Sequence, residues 1–261
     1  MEITYETSLL AKLSWSAALV LGLTAIAERV STRIAGILSG APQNAMLIYF
    51  FVGYDMGTSY VVESIPHGVA SFTATLAFVL VYYGASSWLD RYAVVGGSLA
   101  GIAAFVVVAF ALSTIRFTSA GAVALTSIAI ILTLWSFRKI ELVAIAIPVR
   151  YTAKLLMLRG GFAVVLIVIV ITLAETLGAR WAGLLAGFPA VLWPTLLIIH
   201  ITYGAASTHA LIRNFPLGVI SILLYILSIS FTFPLWGVYG GTVASLGISL
   251  VYLIAVMLLG R

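Results

Sequence analysis

Residues 27–42 read Ala27-Glu28-Arg29-Val30-Ser31-Thr32-Arg33-Ile34-Ala35-Gly36-Ile37-Leu38-Ser39-Gly40-Ala41-Pro42. Residues 174–189 read Ala174-Glu175-Thr176-Leu177-Gly178-Ala179-Arg180-Trp181-Ala182-Gly183-Leu184-Leu185-Ala186-Gly187-Phe188-Pro189. Glu, Arg, Ala-Gly, Leu, Gly and Pro keep their spacing, and every matched pair is 147 residues apart. Glu and Arg are costly in so apolar a chain, so their repetition at one spacing is informative. The match continues outward: Gly57 with Gly204 at 147, Pro66-His67-Gly68 with Pro216-Leu217-Gly218 at 150, and Gly96-Gly97 with Gly240-Gly241 at 144. The drift marks small loop insertions. The chain reads as two copies of one unit.

Composition sets the class. Of 261 residues, 63% are hydrophobic and 8% charged, with a mean hydropathy of +1.20. Soluble domains carry about 25% charged residues, and 8% cannot wet a globule of this size. The expectation is an all-α, polytopic membrane protein. The net charge of +5 reads as a topology signal and not as a nucleic-acid footprint. The absence of cysteine excludes disulfides, a thiol nucleophile and a thiolate metal site. The acidic start Met1-Glu2-Ile3-Thr4-Tyr5-Glu6 is the wrong sign for a cleaved signal peptide, and no lipidation motif is found.

A bilayer core about 30 Å thick needs roughly 20 apolar residues per helix. Nine stretches qualify: 9–27, 34–57, 67–87, 93–115, 117–137, 160–174, 182–204, 217–233 and 236–259. Helices one to four match helices six to nine, leaving the fifth as a link. An even repeat joined by one odd helix inverts its second copy, so two inverted four-helix repeats are expected. Residues 1–115 form the first repeat, 116–159 the linking helix and a cytoplasmic loop, and 160–261 the second repeat. With alternate loops on opposite sides, ten of the 13 basic residues share one face. The excess of basic residues places that face in the cytoplasm, with the N-terminus outside, the C-terminus inside and the cell membrane as the location. Arg150 and Lys154 share one helical face of the segment 138–159, which is expected to lie on anionic lipid heads and to tether the halves.

Helices two and seven carry the chemistry. Each meets Gly and Pro early: Gly40 and Pro42, then Gln43 and Asn44, in one; Gly187 and Pro189, then Pro194, in the other. Proline in a helix removes a hydrogen bond, and freed backbone survives in a membrane where protein or a water-filled cavity covers it. Paired interrupted helices in inverted halves point to a transport site; a packing kink is the bland alternative. Glu28 and Glu175 are retained carboxylates, each five residues before an arginine, Arg33 or Arg180. They read either as corner salt bridges or as carriers of a coupling proton or cation. Asp55, aligned with Thr202, and His200 are further candidates. Glu63, His67, His209 and Arg213 are expected in solvated loops. The pairs Gly97/Gly101 and Gly237/Gly241, four apart, read as helix-packing contacts. No phosphate-cradling loop, no metalloprotease motif and no triad spacing is found, so no enzyme, cofactor or metal is expected.

The second copy, Arg180-Trp181-Ala182-Gly183-Leu184-Leu185 through Phe188-Pro189 to His200-Ile201 and Gly204, resembles the GlpM-like family of small four-helix membrane proteins. The first copy departs from that pattern at Ala41 and Gly53, which replace Phe188 and His200. The resemblance implies architecture, with each half matching once, and an origin by fusion of two antiparallel copies. Three functions are open: a secondary transporter of a small solute, an ion channel through the same helices, or a non-transporting accessory scaffold. A homodimer is compatible with each.

Overall fold

Gly57 ends the first described helix. Its backbone, at φ 90° and ψ 161°, is in a region glycine enters freely and other residues resist. The computed structural model describes residues 41–89, 92–141, 161, 165, 168–169, 172–173 and 176–259. Before Gly57 lies α1 (Gln43–Met56) and after it α2 (Thr58–Trp88). Next come α3 (Ala93–Ser113), α4 (Ser119–Phe137), α5 (Ala179–Ala186) and α6 (Leu192–Leu259). Gly204 (φ 80°) and Gly237 (φ 67°) divide α6 into segments 192–203, 205–236 and 238–259. Among the described residues every regular element is helical. Glu28, Arg33, Gly40, Glu175, the first expected helix, most of the sixth and residues 142–159 lie outside the described residues.

Among the described residues four helices, α2, α3, α4 and α6, are long and apolar enough to cross a membrane. At 1.5 Å per residue, the 21 residues of α3 reach about 30 Å. One face of α3 is bare: Val95, Leu99, Val106 and Phe110 are exposed. Helix α2 is buried almost all round. Val61, Ile65, Val69, Phe72, Leu76 and Val79 form one stripe, and Ser64, Gly68, Ser71, Thr75, Phe78 and Tyr82 another. Each stripe advances by three or four residues, the spacing of one helical face. Two buried stripes make α2 the central helix, with α3, α4, α5 and α6 packed around it.

Three expectations need correction. Helices expected to start at 67 and 217 start at 58 and 205, with Pro66 and Pro216 inside them. Hydropathy falls at Glu63 and His67, and again at His209 and Arg213, and proline reads as a boundary. The true boundaries are Gly57 and Gly204, whose positive φ stops a helix where a proline only removes one bond. Of the four polar residues, only Glu63 is exposed; His67 is buried, and His209 and Arg213 are half-buried. Gly97 and Gly101 do pack closely, against Tyr82 and Phe78. Gly237 does not: it is a corner with open space where a Cβ would stand.

Candidate functional site

The two proline motifs form the same turn. In the first, the Gln43 amide donates to the Ala41 carbonyl (2.8 Å) and the Met46 amide to the Pro42 carbonyl (2.7 Å). In the second, Ala190 donates to Phe188 (2.7 Å) and Trp193 to Pro189 (2.9 Å). Each donor and acceptor pair is displaced by 147 residues. A three-residue turn across the proline leads into a helix, α1 in one case and α6 in the other.

The breaks meet in space. Asn44, the second residue of α1, donates its side-chain amide to the Phe188 carbonyl at 2.8 Å and reaches the Ala186 carbonyl at 3.5 Å. Thr75 of α2 donates to the Gly187 carbonyl at 2.5 Å. The carbonyls freed by the second break are therefore held by side chains from the first half, as a low-dielectric interior demands. The Gly187 carbonyl is thus paired with Thr75, and the Pro189 carbonyl with the Trp193 amide. Between the breaks is a cavity of about 30 Å³, room for a water molecule. Asn44, Thr75, Gly187, Phe188, Pro189 and Ala190 line it, with Phe72, Phe215 and Ile222 as apolar walls. The Asn44 side-chain oxygen is buried there without a hydrogen-bond partner.

Close packing places this site. A Cβ on Gly183 would run into the Ser64 carbonyl and stand 2.7 Å from the Gly68 amide nitrogen; one on Gly187 would meet Ser71. Helix α5 thus lies directly on the small stripe of α2. Gly183→Ala is expected to destabilise the fold by about 1–3 kcal/mol through overpacking, although alanine is intrinsically the better helix former by about 0.5–1 kcal/mol. Gly84→Ala, on α2 with open space around it, is the control and should gain stability. Thermal melts of the two variants in detergent decide the sign.

Other candidates fall elsewhere. Asp55 is exposed at the end of α1 and away from the cavity, as is its counterpart Thr202. Gln43 is buried, with its side-chain oxygen unpartnered, but does not line the cavity. Arg180 donates to the Ser113 carbonyl at 2.8 Å, and His67 Nε2 lies 3.0 Å from the Ile115 carbonyl. Both tie off the end of α3. His200 is buried and linked through Nδ1 to the Tyr82 hydroxyl at 2.9 Å, apart from the breaks. Sequence reasoning missed Thr75 and Ser71; the signal was the run Ser64, Gly68, Ser71, Thr75 of small residues at helical spacing. No family model, curated protein or solved structure matches this chain.

Proposed function

We propose that this protein is a secondary transporter of a small solute, driven by a proton or cation gradient, with its site between the two proline breaks. The observation that carries the proposal is the bond from Asn44 to the Phe188 carbonyl across a cavity. One proline turn completes the other, and interrupted helices at matched positions are how transporters build midplane sites. The cavity is too small for a solute, so this arrangement is closed, and transport requires the breaks to part.

In this proposal the chain crosses the cell membrane nine times, as two inverted four-helix repeats over residues 1–115 and 160–261, with 116–159 linking them. Support comes from the paired proline turns and from Gly57 and Gly204, which share one unusual conformation 147 residues apart. Fusion of two antiparallel GlpM-like units accounts for such a chain. The N-terminus lies outside and the C-terminus in the cytoplasm. Glu28 and Glu175 carry the coupling ion. Anionic lipid heads meet the basic segment that begins at Arg138, whose guanidinium sits 4.9 Å over the Trp135 ring. A second function, an accessory scaffold, is favoured by one fact: Thr75 and Asn44 already satisfy the second break.

The test is uptake by proteoliposomes from a mixture of labelled amino acids, organic acids and sugars, under an imposed pH or sodium gradient. The wild type should accumulate at least one component. Glu28→Gln and Glu175→Gln should fold and lose accumulation. A wild type that takes up nothing, under either gradient, rejects the transporter in favour of the scaffold; unitary currents in a planar bilayer would make it a channel.

A further inference from the structure

Helices α2 and α6 share a second polar cluster, and none of its members lines the break cavity. Tyr82 is fully buried, and its hydroxyl lies 2.9 Å from His200 Nδ1. His209 Nε2 lies 2.8 Å from the Ser86 hydroxyl. The two imidazoles face each other with centroids 6.4 Å apart and planes at 77°. Tyr83 closes the cluster edge-on to His209 at 4.7 Å.

The hydrogens can be assigned. A phenol has one hydrogen, and among the described residues Tyr82 has one acceptor, His200 Nδ1. Neutral His200 therefore carries its proton on Nε2. Ser86 also has one hydrogen, which can go to the Tyr83 carbonyl at 3.2 Å. Its oxygen then accepts from His209 Nε2, leaving His209 Nδ1 bare.

The surrounding groups are sparse. Helices α3 and α4 contain no ionisable side chain. On α2 the facing groups are Tyr82 and Tyr83. On α6 they are Tyr203 and Arg213, the latter donating to the Ile140 carbonyl beyond α4. From α5, Arg180 is held at Ser113. The described carboxylates Asp55, Glu63 and Glu141 are all exposed. Imidazole is the one side chain that ordinarily changes charge between about pH 5 and 8, and His67 is committed to the Ile115 carbonyl.

We propose that His200 and His209 together hold one proton, that this proton is coupled to transport in addition to the ion that Glu28 and Glu175 carry, and that its arrival at His200 releases α2 from α6. The coupling clause rests on the transporter proposal above. Two imidazolium ions at this separation in a buried site do not coexist, so the pair takes one proton at a time. On His209 the proton adds to the bare Nδ1 lone pair, and that N–H bond breaks when the proton passes to His200. On His200, the proton adds to the Nδ1 lone pair, an N–H bond forms, and the Tyr82 O–H···N bond breaks. Tyr82 can then accept from Nδ1, but its own hydrogen has no other acceptor among the described residues. That orphaned donor works against the packed seam. Deprotonation reverses each step.

The test is histidine side-chain NMR on the full chain, labelled with ¹⁵N-histidine, in lipid nanodiscs between about pH 8 and 5. The two rings should titrate as a coupled pair taking up one proton. Tyr82→Phe should move that step to higher pH, because the hydroxyl that occupies Nδ1 of the neutral ring is gone. Thiol labelling at Ser207→Cys, a buried position between the histidines, should rise as the pH falls relative to the same cysteine beside His200→Gln and His209→Gln. Independent titration of the rings, or a Tyr82→Phe step that is unmoved or lower, overturns the proton site. Labelling that does not depend on pH overturns the release of α2 from α6. If the pair titrates as described but proteoliposomes take up nothing from the labelled mixture, the transporter proposal fails and the proton site stands. Uptake that ignores the pH gradient and survives His200→Gln leaves the transporter and overturns the coupling.

Discussion

Asn44→Asp is expected to weaken the fold strongly at neutral pH and to recover as the pH falls. The replacement keeps the shape of the side chain and turns its donor into an acceptor. Asn44 donates to the Phe188 carbonyl at 2.8 Å and lies 3.5 Å from that of Ala186. A carboxylate there would face two carbonyl oxygens, leave both without a donor and bury a charge. An orphaned buried acceptor costs about 1–3 kcal/mol and an unpaired buried charge more, so a loss of about 3 kcal/mol or greater is expected. Burial against carbonyls raises the folded-state pKa of the new carboxyl. The loss is full above that pKa and shrinks as the pH falls through it. It is gone below the unfolded value of about 3.9, because the protonated acid has an O–H to give to Phe188. Asn44→Ala should lose less, and its loss should not depend on pH. Thermal melts of both variants in detergent across pH decide the matter. An Asn44→Asp protein that melts like the wild type at pH 7 would mean that the carboxamide bond does not hold the two breaks together.

The proline turns were legible because their cause is local. Gly187, Pro189 and the residues around them break a helix by their own covalent limits, and the break stands where the composition places it. The extent of the long helices was half legible. Hydropathy found α3 and α4 closely, since an outward apolar face is what hydropathy measures. It failed at the starts of α2 and the second segment of α6, where polar residues inside the protein look like a loop. His67 is buried and His209 half-buried because a carbonyl and a serine await them, and those partners come from elements 48 and 123 residues away. The partner of Asn44 is likewise 144 residues distant. Contacts of that range follow from the fold, and a pattern read along one helix does not contain them. Gly183 is intermediate. Its repetition at Gly36 marked it as constrained, but which backbone it touches needed the packing of α5 on α2.

Cysteines at Arg33→Cys and Arg180→Cys should be labelled from opposite sides of the membrane, an all-or-none result. The chain has no cysteine of its own, so each variant carries a single reactive thiol. Arg180 is exposed and its guanidinium rests on the Ser113 carbonyl, at the end of α3. Arg33 occupies the matching place 147 residues earlier. Two copies with an even number of spans, joined by one more span, must present their matching corners to opposite faces. In inside-out and right-side-out vesicles, an impermeant maleimide should therefore reach position 33 from the cytoplasmic face and position 180 from the other. The basic-residue count demands the same sidedness independently, since Arg33 belongs to the ten-residue majority and Arg180 to the remaining three. Labelling of both positions from one side would make the repeat parallel. The turns at Pro42 and Pro189 would then be related by translation along the chain and not by inversion across the membrane. A site that opens to each face in turn would lose the symmetry that makes it possible.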